Sequence, residues 1–176
     1  MNARKLIMLT LACLAVHFNA SAGDLSTGLF NSVKGFGLSI DYNANEDILN
    51  SYTVYADLYG MYSGSSHSAG IKFVYLHYNR LTRLESRHAR YDIFFGPGAS
   101  TGYVMDNGSE RFGLILTADL AVAVRVSFNR SLELELATVA ELGFSYGESD
   151  NKSQLDIYAN GLMQALLPSL KIMWRF

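Results

Sequence analysis

The sequence predicts an all-β fold, an eight-stranded antiparallel up-and-down transmembrane β-barrel. Three observations carry that expectation. Apolar and polar residues alternate with period two in run after run, the periodicity that sends successive side chains to opposite faces of a sheet. In the best-formed runs one face is wholly apolar while the other holds charges, as in Leu132-Glu133-Leu134-Glu135-Leu136. Beyond the N-terminus no apolar run reaches the roughly 20 residues that a helical span needs, although mean hydropathy is positive at +0.11.

Taken in order, residues 1–22 read as an export signal rather than as part of the fold. Arg4 and Lys5 supply the positive start, Leu6 to Val16 the apolar stretch, and Ala20-Ser21-Ala22 the small-x-small cleavage pattern, so that the barrel domain is expected over residues 23–176. The single cysteine, Cys13, lies inside that signal. The rival reading of Leu11-Ala12-Cys13 as a lipoprotein processing site is weaker, because the apolar run before the cysteine is short. Without Cys13, the mature chain has no disulfide, thiolate metal site or cysteine nucleophile.

Eight strands follow. Phe36, Leu38, Ile40 and Tyr42 alternate with Gly37, Ser39 and Asp41. Val54, Ala56 and Leu58 alternate with Thr53, Tyr55, Asp57 and Tyr59. Residues 70–80 are strand-like with ambiguous facing, since either Lys72 or His77 must point the unexpected way. Tyr91, Ile93 and Phe95 alternate with Asp92 and Phe94. Over 112–126, Leu114, Leu116, Ala118, Leu120, Val122 and Val124 share a face, with Asp119 and Arg125 on the other. Over 131–146, Leu132, Leu134, Leu136, Ala140, Leu142 and Phe144 oppose Glu133, Glu135, Ala137, Val139, Glu141 and Gly143. Leu155 and Ile157 alternate with Asp156 and Tyr158, and the chain ends on Leu170, Ile172, Trp174 and Phe176 against Lys171, Met173 and Arg175.

Turn signals separate the runs at Asn43–Asn50, Ser63–Ser66, Leu81–Ala89, Asp106–Ser109, Asn129-Arg130, Gly147–Lys152 and before Ser169. Asn160-Gly161 is itself a hairpin signal, which gives an alternative boundary with the seventh strand ending near Ala159 and the last starting near Leu162; Pro168 then needs a bulge or an edge-like site. A membrane strand takes about 9–11 residues. Eight of them fit residues 23–176, ten only with tight turns, and sixteen not at all. Eight strands enclose an interior that side chains fill, which argues against a wide solute channel.

At this point the chain resembles the small outer-membrane β-barrel proteins of Gram-negative bacteria. The terminal Leu170-x-Ile172-x-Trp174-x-Phe176 looks like the signal by which the outer-membrane assembly machinery recognises such barrels. The stretch Tyr91–Gly98, Gly102-Tyr103-Val104 and Phe128-x-Arg130-x-Leu132 looks like uncharacterised members of the group. The resemblance implies location and topology, not a reaction: the family includes adhesion, defence and envelope-integrity proteins and a few lipid-modifying enzymes.

The physical case stands beside the resemblance. Lipid offers no hydrogen bonds, so a spanning sheet must close on itself, with leucines toward lipid and polar groups inside. Tyr42, Tyr52, Tyr78, Tyr91, Tyr103, Phe112, Phe128, Phe144, Tyr146, Trp174 and Phe176 fall near strand ends, where amphipathic rings favour the headgroup boundary. The expected interior is an ionic plug built on Asp119, Arg125, Glu133, Glu135, Glu141, Lys171 and Arg175. Asp41, Asp57, Asp92, Asp156 and Lys72 join it, and Tyr55, Tyr59 and Tyr158 are its donors. A proton or cation path is the functional alternative.

Candidate chemistry is sparse. The net charge of −2 argues against a nucleic-acid binder that relies on a basic surface. His67, His77 and His88 have no metal-ligand spacing and no serine–acid motif to match, and Gly96-Pro97-Gly98 reads as a strand bend rather than a phosphate cradle. No cofactor is implied. Arg83, Arg87 and Arg90, with Arg80 and His88, form the most distinctive polar patch. Guanidinium groups there are candidates for lipopolysaccharide phosphates, provided that the 81–89 connection lies outside. Eight strands with both termini in the periplasm would put it there. The function expected is an integral barrel with a structural or surface-interaction role. The alternatives are a lipid A-modifying enzyme at the rim, a narrow channel, and a soluble barrel with its apolar faces inside. The implied partners are outer-membrane lipid, lipopolysaccharide and, during biogenesis, the assembly machinery; the surface ligand stays open.

Overall fold

The computed structural model describes residues 25–64, 68–106, 111–128, 131–149, 152–158, 161–162 and 166–176. The export signal expected over 1–22, His67, and the turn signals at 107–109 and 129–130 lie outside the described residues. The strands are β1 (Leu25–Ser32), β2 (Gly35–Asn43), β3 (Ile48–Asp57), β4 (Gly70–Glu85), β5 (Arg90–Asp106), β6 (Arg111–Ser127), β7 (Leu132–Ser149), β8 (Lys152–Ile157) and β9 (Ser169–Arg175). A single helical turn, α1 (Tyr59–Tyr62), lies between β3 and β4.

Each strand pairs antiparallel with its sequence neighbour from β1 to β7, and β9 joins β7 to β1. The sheet is thereby closed. β8 and β9 share one position in it. β8 pairs with the far half of β7, from Phe144↔Ile157 to Ser149↔Lys152. β9 pairs with its near half, from Leu132↔Trp174 to Ala137↔Ser169. Tyr158 N–H still donates to Gly143 O, 2.9 Å away, before the chain leaves the ladder. The barrel therefore has eight positions, the last one interrupted. Starting at Glu85 and following paired residues round the barrel leads through Arg90, Ser127, Glu133, Met173, Gly28, Ser39 and Thr53 to Val74. The path returns to β4 displaced along it, the stagger that tilted strands need to close.

The sequence count of eight is thus right through two offsetting differences. The strand at Leu25–Ser32 is additional to those expected. Its alternation is blurred, with Phe30 packed inward against Tyr55 (ring centroids 4.9 Å apart) and Asn31 exposed. Its turn to β2, Val33-Lys34, carries no Gly or Asn and is supported instead by Ser32 Oγ, which accepts the Lys34 N–H. At the other end, two expected strands fill one position. The additional strand also moves the turns. Leu25 and Phe176 meet at one end of the barrel, with Phe176 N–H donating to Leu25 O at 3.1 Å. The 86–89 turn lies at that same end, not at the opposite one as the expected order implied.

Facing follows the alternation. Leu114, Leu116, Leu120, Val122, Val124, Leu136, Leu142, Phe144, Leu170, Trp174 and Phe176 are exposed on the outer surface. Asp119, Arg125, Glu133, Glu135, Glu141 and Lys171 are buried inside, and Arg175 is half-buried with them. In β4 the ambiguity resolves with Lys72 fully buried and His77 turned outward. Tyr78 is an exception to the expected aromatic rim: it is fully buried and packs inside on Phe94. Tyr52 lies mid-strand against Tyr75.

An outward apolar belt around a polar interior forecasts a depth-dependent response to charge. Leu120→Arg, in the middle of the belt, is expected to destabilise the barrel in bilayers by about 2–4 kcal/mol, and Leu155→Arg, near the far rim, by about 0–1 kcal/mol. Urea unfolding of both variants in lipid vesicles checks this; equal costs would contradict a belt that meets lipid at β6 and clears it at β8.

Candidate functional site: the ionic interior and the arginine-lined mouth

Inward-facing positions place the charges in two layers. On β7, Glu133 and Glu135 are separated from Glu141 by Ala137 and Val139; on β6, Arg125 is separated from Asp119 by Ala121 and Ala123. On β4, Lys72 is followed inside by Val74 and Leu76. The intervening side chains form one apolar cluster that includes Tyr55, Val74, Leu76, Ala121 and Ala137, with Phe30 and Val139 against it. The barrel thus holds an ionic layer near the termini, an apolar layer, and a second ionic layer toward the far end.

The layer near the termini is centred on Arg125. Its guanidinium bonds across the barrel to Asp41 of β2 and along the sheet to its β7 register partner Glu135, and reaches Glu133 at 3.3 Å. Lys171 of β9 contributes a second cation, 3.0 Å from Glu135 and 3.8 Å from Asp41, and donates to Ser51 Oγ at 2.7 Å. Three buried carboxylates and two buried cations from four strands are therefore tied together. Phe94 lies under Arg125, 5.7 Å from ring centroid to guanidinium carbon, a cation–π contact that favours the same rotamer.

The far layer is built on Lys72, whose ammonium donates to both oxygens of Glu141, 2.6 and 2.5 Å away across the barrel. It also lies over the Tyr158 ring, as does Lys34. Asp119 sits beside Glu141 in register and accepts from Thr117 at 2.6 Å. Asp57 accepts the Tyr59 N–H at the start of α1. Lys34 escaped the sequence reading because it belongs to a turn that carries no turn signal, yet it is buried.

At the end that carries Leu25 and Phe176 the interior opens into a cavity of about 490 Å³, walled by Asn43–Glu46, Arg80, Arg83, Arg90, Asp92, Phe94, Arg125, Glu133 and Arg175. Arg80 and Arg83 are three residues apart, so strict alternation would send them to opposite faces. A bulge between Arg80 and Thr82 shifts the register by one and brings both inside. There they meet Asp92: Arg83 Nε at 2.7 Å, Arg90 Nε at 2.9 Å and Arg80 at 3.7 Å. Arg80 also reaches Asp47 at 2.6 Å. Arg87 and His88, by contrast, are exposed in the turn. The sequence patch of basic residues is thus divided, with Arg83 and Arg90 at the mouth and Arg87 outside it. The Arg80 contact was legible only once the bulge was known.

Gly96 and Gly98 are part of β5, where Pro97 lacks the N–H that would complete the rungs to β4, and pairing is interrupted between Leu76↔Gly98 and Asn79↔Phe95. A side chain at Gly96 would run into the carbonyl of His77. His77 itself faces outward, its Nδ1 2.9 Å from Asn50 Oδ1, which also accepts from Tyr75 at 2.9 Å.

No protein-family model matches the chain, and no curated protein matches it. Two solved structures do. The N-terminal β-barrel domain of Pseudomonas aeruginosa OprF aligns with a TM-score of 0.51 at 11% identity, over 88% of this chain and 98% of that one. Ail, the attachment invasion locus protein of Yersinia pestis, aligns with a TM-score of 0.36 at 11% identity, over 87% and 97%. The first likeness is one of fold: this chain has the eight-stranded closed architecture of outer-membrane β-barrels.

Removing Arg125 would leave Asp41, Glu133 and Glu135 crowded around Lys171, with Arg175 3.9 Å from Glu133 at the edge. Arg125→Met is expected to cost about 3–5 kcal/mol, the usual range when one partner of a buried pair is lost. Replacing Glu135 by Gln in the same chain should recover part of that loss. Urea unfolding of the single and double variants in vesicles reads both effects.

Proposed function

We propose that the chain is an integral outer-membrane β-barrel without a wide pore, and that its role is structural or one of surface interaction. The observation that carries this is the pairing of a continuous outward apolar belt with an interior filled by cross-barrel ion pairs. A sheet of this kind can stay in lipid only when closed, and its interior charges stay there only when paired. The packing between the two ionic layers, which leaves a cavity of only about 40 Å³, supports the absence of a wide conduit. Export through a cleaved signal and residence in the outer membrane belong to the same reading. So does recognition of Leu170, Ile172, Trp174 and Phe176 by the assembly machinery: all four lie on the outer face of the last strand, within reach of a partner before closure.

A surface role is supported by the shape of the wall. β9 ends its pairing with β1 and β7 at Ser169, opposite Ser32 and Ala137. Beyond Ala137, β7 continues to Ser149 with β6 on one side and β8 on the other. The wall formed by β5–β8 therefore rises above β1–β3 at the end away from the termini. It presents Tyr103, Phe112 and Tyr146, the first two stacked at 5.4 Å. With both termini in the periplasm, this wall stands outside. Arg83, Arg87 and Arg90 then face the periplasm. Their contact with lipopolysaccharide phosphates requires the opposite insertion, and their lipid partners in the proposed one are inner-leaflet headgroups.

Fractionation of cells that express the full-length chain, followed by unheated gel electrophoresis of the detergent extract, tests the proposal. Recovery in the outer membrane with heat-modifiable mobility is expected, together with a several-fold lower yield on deleting Phe176. Recovery as a soluble periplasmic species would overturn it.

A further inference from the structure

We propose that the mouth at the termini end is a binding site for a phosphoryl group, with Arg83 and Arg90 as its donors and Asp92 as the residue that positions them. The argument rests on charge and geometry at the cavity, and holds whichever way the barrel is inserted. Five guanidinium groups wall the cavity. Arg125 is committed to Asp41, Glu133 and Glu135. Of the others, Arg80, Arg83 and Arg90 converge on the single buried carboxylate of Asp92. Asp47, which also pairs with Arg80, is a solvent-exposed partner with 74% of its side chain accessible. With Arg80 closest to Asp47, Arg83 and Arg90 share the one buried carboxylate of Asp92, an excess of positive charge that suits an anion.

The way the arginines are held points the same way. Arg83 and Arg90 both address Asp92 through Nε. That leaves the two terminal amino groups of each guanidinium to other acceptors, and one of those of Arg90 reaches Ser127 Oγ at 3.4 Å. Planar guanidinium groups fixed at Nε are prepared for bidentate contact with phosphoryl oxygens. Their side chains are each 31% exposed, so a ligand entering from the mouth can reach them. The volume of about 490 Å³ admits a headgroup-sized solute. The shared chemistry is a phosphoryl oxygen cluster, carried either by a soluble phosphate compound or by a lipid headgroup at the rim.

Phenylglyoxal labelling of the folded full-length barrel in detergent, read residue by residue by peptide mass spectrometry, tests the site without a variant. Inorganic phosphate is expected to slow labelling of Arg83 and Arg90 at least tenfold while exposed Arg87 labels at an unchanged rate; acetate at the same ionic strength should protect neither. Repeating the labelling in phosphatidic acid and in phosphatidylcholine bilayers separates the sources. Protection by phosphatidic acid alone assigns a lipid headgroup, and protection by inorganic phosphate alone a soluble ligand. Asp92→Asn, judged folded by heat-modifiable mobility, should weaken the protection. Equal protection of Arg87, or no protection by either phosphate or phosphatidic acid, would overturn the proposal.

Discussion

Closure over eight positions is the constraint on which the rest of this structure depends. Where β9 joins β7 to β1 the sheet has no edge, and at eight strands the space it encloses is only as wide as the side chains that point into it. Every inward residue must therefore find its partner across the barrel rather than in water. The contacts of Arg125 with Asp41, and of Lys72 with Glu141, join strands that are distant in sequence. They are consequences of closure, and they also hold its opposite walls together.

The same constraint explains why the charges are layered. Salt bridges in a narrow interior need complementary groups at the same height, so they gather into layers. Between the layers the interior is filled by Val74, Leu76, Ala121 and Ala137, which need no polar partner, and by Tyr55. The layer near the termini and the mouth form a continuous gradient. Deep in the barrel, Arg125 and Lys171 meet three carboxylates, and Arg175, 3.9 Å from Glu133, supplies the third cation. At the opening, three arginines share Asp92. Electrostatic balance is thus complete where water is excluded and incomplete where solvent, or an anion, can supply the remainder.

Much of this was legible in the chain. Alternation in 112–126, 131–146 and 170–176 was regular enough to assign both faces, and Asp119, Arg125, Glu133, Glu135, Glu141 and Lys171 lie inside as their periodicity required. Where alternation was impure, the reading was less complete. Leu25–Ser32 mixes Phe30 inside with Thr27 and Asn31 outside, and Val33-Lys34 turns without a turn residue, so both the strand and buried Lys34 went unread. In β4, Lys72 and His77 cannot both obey a membrane pattern, and only their partners, Glu141 inside for Lys72 and Asn50 for His77, decide which is outside.

The sequence by itself determined the fold class, the inside and outside of most strands, and the apolar character of the last strand's outer face, because period-two patterning is a local property that each strand carries alone. The tertiary structure decided which charges meet, where the eighth position is interrupted, and which end of the barrel bears the arginines. Those depend on register and stagger, quantities that exist only between strands. One bulged residue in β4 and one unsignalled turn after β1 were enough to set them.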